Sequence, residues 1–320
     1  MDEFELIERY LRPLSRLDDG TQLGIGDDCA IIRGRENAQL IVTTDTHVEG
    51  VHFPLNADPA RVGYRACATG LSDIVAMGGT ARWASLALTL PAVNEQWLAG
   101  FSRGTKVALD LDKTCLIGGD TTQGPLTITW SIIGEVPRDC AMRRDGARPG
   151  DDIYVTGTLG AAAAAVEFSI LKKIECNEAE KELLRRYWQP EPPFAFGQAL
   201  RALATSCVDI SDGLLADLGH IVRASGCGAV VELTQLPIAE PLIDIAGLDA
   251  ARLFAAVGGD DYELCFSLPP ECETKLKQVT SNYGVVATRV GRFVSGADVR
   301  LIDDAGMRVS VGDKGYRHFQ

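Results

Sequence analysis

Two spacings of apolar residues divide the chain. In "ASLALTL" every second position is apolar, so Leu86, Leu88 and Leu90 fall on one face of a strand. In "PLTITWSII" the residues Leu126, Ile128, Trp130 and Ile132 repeat that pattern. "QLIVTTD" and "TCLIGGD" are denser in apolar residues, which predicts shorter, more buried strands ending in polar groups. Between these segments the period lengthens. One helix is predicted from about Pro59 to Met77. A second starts after Asn94, a suitable N-cap, and carries Trp97 and Phe101 four residues apart. The order β-β-α-β-α-β-β is that of an α+β fold.

The cluster "RRDGARPGDD", rich in glycine, proline and charge, follows the last of these strands. It predicts a boundary between an N-terminal domain of residues 1–142 and a C-terminal domain of residues 143–320. The second half opens with a strand in "DDIYVTG", then a helix through the alanines at 161–165. A strand in "CVDIS" and a helix over "GLLADLGHIVRASG" follow, with Leu214, Leu218, Ile221 and Val222 on the apolar face and Gly226 at the C-cap. "FAAVGGDDYELCFSL" holds a further strand after a glycine turn.

Composition is that of a globular protein: 320 residues, 46% hydrophobic and 23% charged. The acidic start "MDEFELIERY" lacks the features of a signal peptide, and no apolar run is long enough to span a bilayer; both predict a cytoplasmic protein. Nine scattered cysteines without a Cys-x-x-Cys pair read as reduced, small hydrophobes rather than a zinc site. The net charge of −13, with no basic stripe, argues against nucleic acid and anionic membranes as partners. An anionic ligand would therefore need cations to accompany it.

Candidate chemistry lies in the aspartates. Asp27, Asp28, Asp45, Asp73, Asp120, Asp209, Asp212, Asp260 and Asp261 sit near Gly, Ser or Thr, several of them at the ends of predicted strands. Any one could be a turn residue or helix cap, as Asp212 could be in "DISDG". As a set beside buried strands they are different, because two like charges 4 Å apart repel by about 4 kcal/mol at an effective dielectric near 20. The pair in "LGIGDDCAII" poses that problem most sharply. Carboxylates and the hydroxyls of Thr43, Thr44, Thr46, Thr121, Thr122 and Ser211 make an all-oxygen donor set, suited to Mg²⁺ and through it to a phosphorylated ligand. Neither a Walker loop nor a complete dinucleotide fingerprint is present, which leaves glycine N–H groups, metals and an arginine such as Arg143 or Arg144 to hold a nucleotide.

In chain order, "GIGDDCA", "TTDTHVEGVHF", "LSDIVAMGG", "LIGGDTTQGP", "VDISDGLLADLGHI", "GGDDYEL" and "KGYRHF" resemble the thiamine-monophosphate kinase family, whose relatives by fold include aminoimidazole ribonucleotide synthetase and selenophosphate synthetase. The resemblance covers nearly the whole chain. It implies an aminoimidazole ribonucleotide synthetase-like α+β fold of two domains: an N-terminal sheet that pairs in a homodimer and a larger C-terminal domain. It also implies ATP-dependent, Mg²⁺-dependent conversion of thiamine monophosphate to thiamine diphosphate. By similarity Asp28, Thr43, Thr44, Asp45, Asp73, Asp120, Asp209 and Asp212 would bind several metal ions. Gly119, Asp120, Arg144 and Ser211 would contact ATP. His52, Asp260 and Tyr316 would approach thiamine monophosphate. The family usually reads GGEDYEL, so Asp260 stands where a longer glutamate is expected. His52 beside Phe53 could equally be a packed histidine, and Tyr316 a tail anchor.

Other readings remain open at this point. They are an ATP-dependent amidine-forming synthetase, a two-metal phosphohydrolase and a non-catalytic Ca²⁺-binding module, although the EF-hand spacing is absent. A selenophosphate synthetase would need a reactive Cys beside a lysine near the N-terminus, which this chain lacks.

Overall fold

The computed structural model describes residues 3–16, 18–170 and 177–312; Tyr316 and the "KGYRHF" segment lie outside the described residues. The chain forms two compact units. One comprises the described residues up to Val75 together with Gly79–Cys140, the other Ala76–Gly78 together with the described residues from Ala141 onward.

The first unit is built on a four-stranded sheet. Its strands are β1 (Ala38–Val48), β2 (Thr80–Leu90), β3 (Cys115–Gln123) and β4 (Thr127–Pro137), in the order β1-β4-β2-β3. Only β2 and β3 run parallel. Two helices accompany it, α1 (Pro59–Ala76) and α2 (Glu95–Leu111). The expected Asn94 cap is present, its side chain accepting the N–H groups of Gln96 and Trp97. Thr105 on α2 donates its hydroxyl to the Gly63 carbonyl on α1 at 3.3 Å. Leu86, Leu88 and Leu90 on β2 and Ile128, Trp130 and Ile132 on β4 are buried, as their alternation predicts.

β1 departs from expectation. It is eleven residues long rather than short, and Leu40 and Val42 are 51% and 66% exposed rather than buried. Among the described residues it pairs with β4 alone, so one flank of the strand is an edge.

The second unit has a six-stranded mixed sheet. The strands are β5 (Asp152–Thr156), β6 (Ser206–Asp209), β7 (Gly228–Glu232), β8 (Leu264–Leu268), β9 (Ala287–Val294) and β10 (Val299–Ile302), ordered β10-β7-β9-β5-β8-β6. Its core gathers Ile153 and Val155, Val208, Cys265, Val290 and Phe293. Leu214, Leu218, Ile221 and Val222 join them from the apolar face of α3 (Leu214–Ser225). Gly226 ends α3 at φ 66°, as a C-cap glycine does. A helix at Leu248–Val257 precedes the glycine turn, an element the sequence pattern did not predict. The Ala76–Gly78 strand-free link is tied within this unit: Met142 donates its N–H to the Met77 carbonyl at 3.1 Å, and Arg201 reaches the Gly78 carbonyl. Among the described residues no helix is long and apolar enough to cross a membrane.

Candidate active site

In the first unit, the loop after Thr21–Leu23 and the middle of β3 face one cavity of about 930 Å³. Asp27, Asp28, Gly119, Asp120 and Thr121 line it, with Leu86, Leu116 and Ile117 as apolar wall. Gly119 has φ 156°, and a Cβ there would stand 1.8 Å from the Leu86 carbonyl oxygen. Only glycine lets β2 and β3 approach so closely at the point where Asp120 enters the cavity.

Asp27 and Asp28 are exposed on this wall, contrary to the apolar burial that "LGIGDDCAII" suggests. The segment forms a loop, Asp27 accepting the N–H of Asp28 at 2.8 Å, so both carboxylates keep their hydration and the electrostatic problem largely disappears. Gly26 and Cys29 on either side are exposed as well, while Ile25 and Ala30 beyond them are part-buried.

A second group lies between β1 and α1. Alternation puts Thr43, Asp45 and His47 on the face towards α1 and turns Thr44 to the opposite face, where its hydroxyl meets Ser131 at 3.0 Å. Thr43 donates to Asp73 at 2.5 Å. Asp45 is largely buried beside Asp73, and burial, then that like charge, lift its carboxyl to about 6. One step along the strand, His47 is held neutral: burial first, then Arg65 and His52, bring it down to about 3. Its Nε2 lies 3.2 Å from the Thr69 hydroxyl. His52 closes the turn after β1, its Nδ1 accepting the Val48 N–H at 2.9 Å, and its ring sits edge-on to His47.

The second unit gathers the remaining acids where β6 and β8 meet their loops. Asp209 ends β6, buried, and Ser211 and Asp212 follow it. The organiser here is Asp217, one turn into α3, which the sequence reading passed over. Its Oδ2 accepts the N–H groups of Ser211, Asp212 and Gly213 at 3.0–3.1 Å. Asp212 therefore does not cap α3; the side chain inside the helix holds the loop instead. Burial, then Asp212, raise the Asp217 carboxyl to about 7. A signal was available: an acid at the fourth residue of a helix that follows a Ser-Asp-Gly turn.

The neighbouring loop locks onto this one. Asp260 donates its N–H to the Ser211 carbonyl at 2.8 Å and accepts the Tyr262 hydroxyl at 3.0 Å. Both residues have positive φ, 70° and 52°, a strained backbone for non-glycine residues that usually marks a functional loop. Asp261 turns inward and accepts the Gly160 N–H on both oxygens. The carboxylate is enclosed although part of the residue reaches solvent, and burial raises it well above the ordinary range. Arg144 is exposed, and its charge, like that of Arg223, lowers His220, while Asp212 acts on the same ring in the opposite sense; burial is the largest cause of the lowering. Arg143 instead pairs with Asp145 at 2.6 Å.

Among the described residues no three His, Cys, Asp or Glu side chains stand close enough together to hold a metal ion. The Asp45–Asp73 pair still fits one. Two part-buried carboxylates stand there with a threonine hydroxyl beside them, and Mg²⁺ takes one or two carboxylates and completes its shell with water and phosphate oxygens.

Residues 26–136 match the family model "AIR synthase related protein, N-terminal domain", and residues 148–304 match its C-terminal counterpart. The chain is 44% identical to the thiamine-monophosphate kinase of Escherichia coli (strain K12) over 99% of its own length and 98% of that protein. The chain belongs to the thiamine-monophosphate kinase family. Among solved structures, the thiamine-monophosphate kinase of Stenotrophomonas maltophilia K279a superposes with a TM-score of 0.88 at 41% identity, covering 94% of this chain and 96% of that one. AaThiL complexed with AMPPCP and TMP gives a TM-score of 0.79 at 31% identity, covering 99% and 97%. The two-domain α+β architecture is that of this family.

Proposed function

We propose that this kinase transfers the γ-phosphoryl group of ATP to the phosphate of thiamine monophosphate, giving ADP and thiamine diphosphate. The observation that carries this is the end-to-end match to thiamine-monophosphate kinases, one of them complexed with AMPPCP and TMP.

The acceptor explains why no general base is needed. A phosphate monoester has its second pKa near 6, so at neutral pH its oxygen is already an anionic nucleophile. It attacks the γ-phosphorus as the bond to the β–γ bridging oxygen breaks, and the electron pair leaves with ADP. His47, kept neutral by burial, supplies no proton to such a step. The obstacle is repulsion between two polyanions, and Mg²⁺, when bound, would neutralise them and stabilise charge in the transition state. In the first unit Asp28 and Asp120 in the cavity and Thr43, Asp45 and Asp73 beside β1 would hold such ions; in the second, Asp209 and Asp212 are the candidate ligands. In the first unit Gly119 lets the backbone approach the nucleotide; in the second, Ser211 and Arg144 are the candidates for a phosphate contact. His52 and Asp260 would position thiamine monophosphate, the Tyr262 hydroxyl fixing the shorter aspartate.

The reading includes a homodimer. The edge of β1 and the exposed Leu40 and Val42 offer backbone groups and apolar surface to a second copy. Incubating the protein with ATP, Mg²⁺ and thiamine monophosphate, and detecting thiamine diphosphate by its fluorescence after oxidation, tests the activity. Equal formation without ATP, or none with it, refutes the assignment.

A further inference from the structure

We infer that Arg12 binds the phosphate chain of the nucleotide, an inference that rests on reading the cavity of the first unit as the ATP site. The wall of that cavity is acidic: Asp27, Asp28 and Asp120 line it together with Glu8. Among the described lining residues Arg12 carries the positive charge. ATP brings a charge near −4 to this wall, so a fixed cation at the right place lowers the repulsion before any metal arrives.

The place is set by Gly26. A Cβ on this residue would stand 2.7 Å from Nη2 of Arg12, so the guanidinium lies directly over the turn that presents Asp27 and Asp28. Gly26 has φ 127°, which leaves the turn open to it. Glu8 orients the arginine, accepting from Nε and Nη2 on one oxygen at 2.7 Å. The pair is roughly half exposed, 46% and 57%, and such pairs are worth about 1 kcal/mol or less, so a phosphate can displace or share this contact. The same N-terminal segment contributes Phe4, Ile7 and Leu11 to the cavity, and Phe4 is 76% exposed there. An apolar surface next to an arginine suits a base at one end and phosphates at the other.

The test compares the full-length protein with R12A, R12K and D120N. Calorimetry gives the affinity for ATP, ADP and adenosine with Mg²⁺ present, and steady-state assays give KM for both substrates. R12A is expected to weaken ATP and ADP by about ten- to fiftyfold, the range of a lost charge-assisted contact. Adenosine affinity, KM for thiamine monophosphate and the melting temperature stay as in the parent, and R12K recovers part of the loss because lysine keeps the charge without the fork. ATP affinity within twofold of the parent in R12A, or an equal loss for adenosine, overturns the inference. D120N separates it from the reading beneath: if D120N weakens ATP and R12A does not, Arg12 alone is wrong. If neither changes ATP binding, the cavity is not the nucleotide site and both fall.

Discussion

Thr43 on β1 donates its hydroxyl to Asp73 on α1 at 2.5 Å, tying the edge strand to the helix at the point where two carboxylates meet. Thr43→Val keeps the shape and removes the donor. A lost hydrogen bond to a charged group costs about 1.5–3 kcal/mol. The expected result is a fall in kcat/KM of about tenfold or more, partly recovered at high Mg²⁺, read from rates across a magnesium titration.

Asp45→Asn should move activity and stability in opposite directions. The aspartate is raised to about 6 by burial and by Asp73, so at pH 8 its ionised form is held at a cost. In metal-free buffer at that pH the variant is expected to melt a few degrees above the parent, since about 1 kcal/mol shifts the midpoint of a domain this size by a few degrees. Added Mg²⁺ should raise the melting temperature of the parent more than that of the variant, and kcat should drop by at least about a hundredfold. Calorimetric scans with and without Mg²⁺ decide it. An identical magnesium response in both proteins would remove Asp45 from the metal site.

Asp112 supplies a pH dependence away from the site. It caps the C-terminal end of α2, where the helix dipole disfavours an anion, and accepts the Ala81 N–H at 2.7 Å. Burial lifts it to about 6, outweighing that hydrogen bond and Lys113. A folded value above the unfolded one means that its contribution is full below about pH 4 and lost as pH rises through about 6. Asp112→Asn should therefore match the parent near pH 4 and exceed it by about 1–2 kcal/mol at pH 8, seen in urea unfolding at the two values.

Gly119→Ala tests the close approach of β2 and β3. The added carbon would stand 1.8 Å from the Leu86 carbonyl oxygen, and backbone cannot yield as a side-chain tip can. Loss of several kcal/mol of stability is expected, of the size seen for strained positive-φ and overpacked positions, together with loss of ATP affinity. Unfolding curves and nucleotide titration of the same preparation measure both.

The helices beginning at Pro59 and after Asn94, and the buried faces of β2 and β4, were legible because period and capping are local properties of the chain. The burial of β1 was not. Alternation tells which side chains share a face, but not whether anything covers it, so Leu40 and Val42 looked like core. Asp27 and Asp28 misled in the same way, since apolar neighbours suggested buried carboxylates where the chain makes an exposed turn. For the candidate site, glycine-aspartate turns marked which residues to inspect. They did not reveal that Asp217 holds the Ser211–Gly213 backbone, because that role depends on where α3 begins relative to β6. That Thr43 and Thr44 diverge follows from alternation alone; which of the two meets Asp73 on α1 needed the fold.

The excursion of Ala76–Gly78 into the second unit bears on how this protein can be dissected. A cut after Cys140 would sever Met77 and Gly78 from Met142 and Arg201, leaving a fragment with a torn seam at the end of α1 and another with unmatched donors. Halves expressed separately should therefore be less soluble than their size suggests, and a permuted chain that keeps Met77 joined to Met142 should fare better than either.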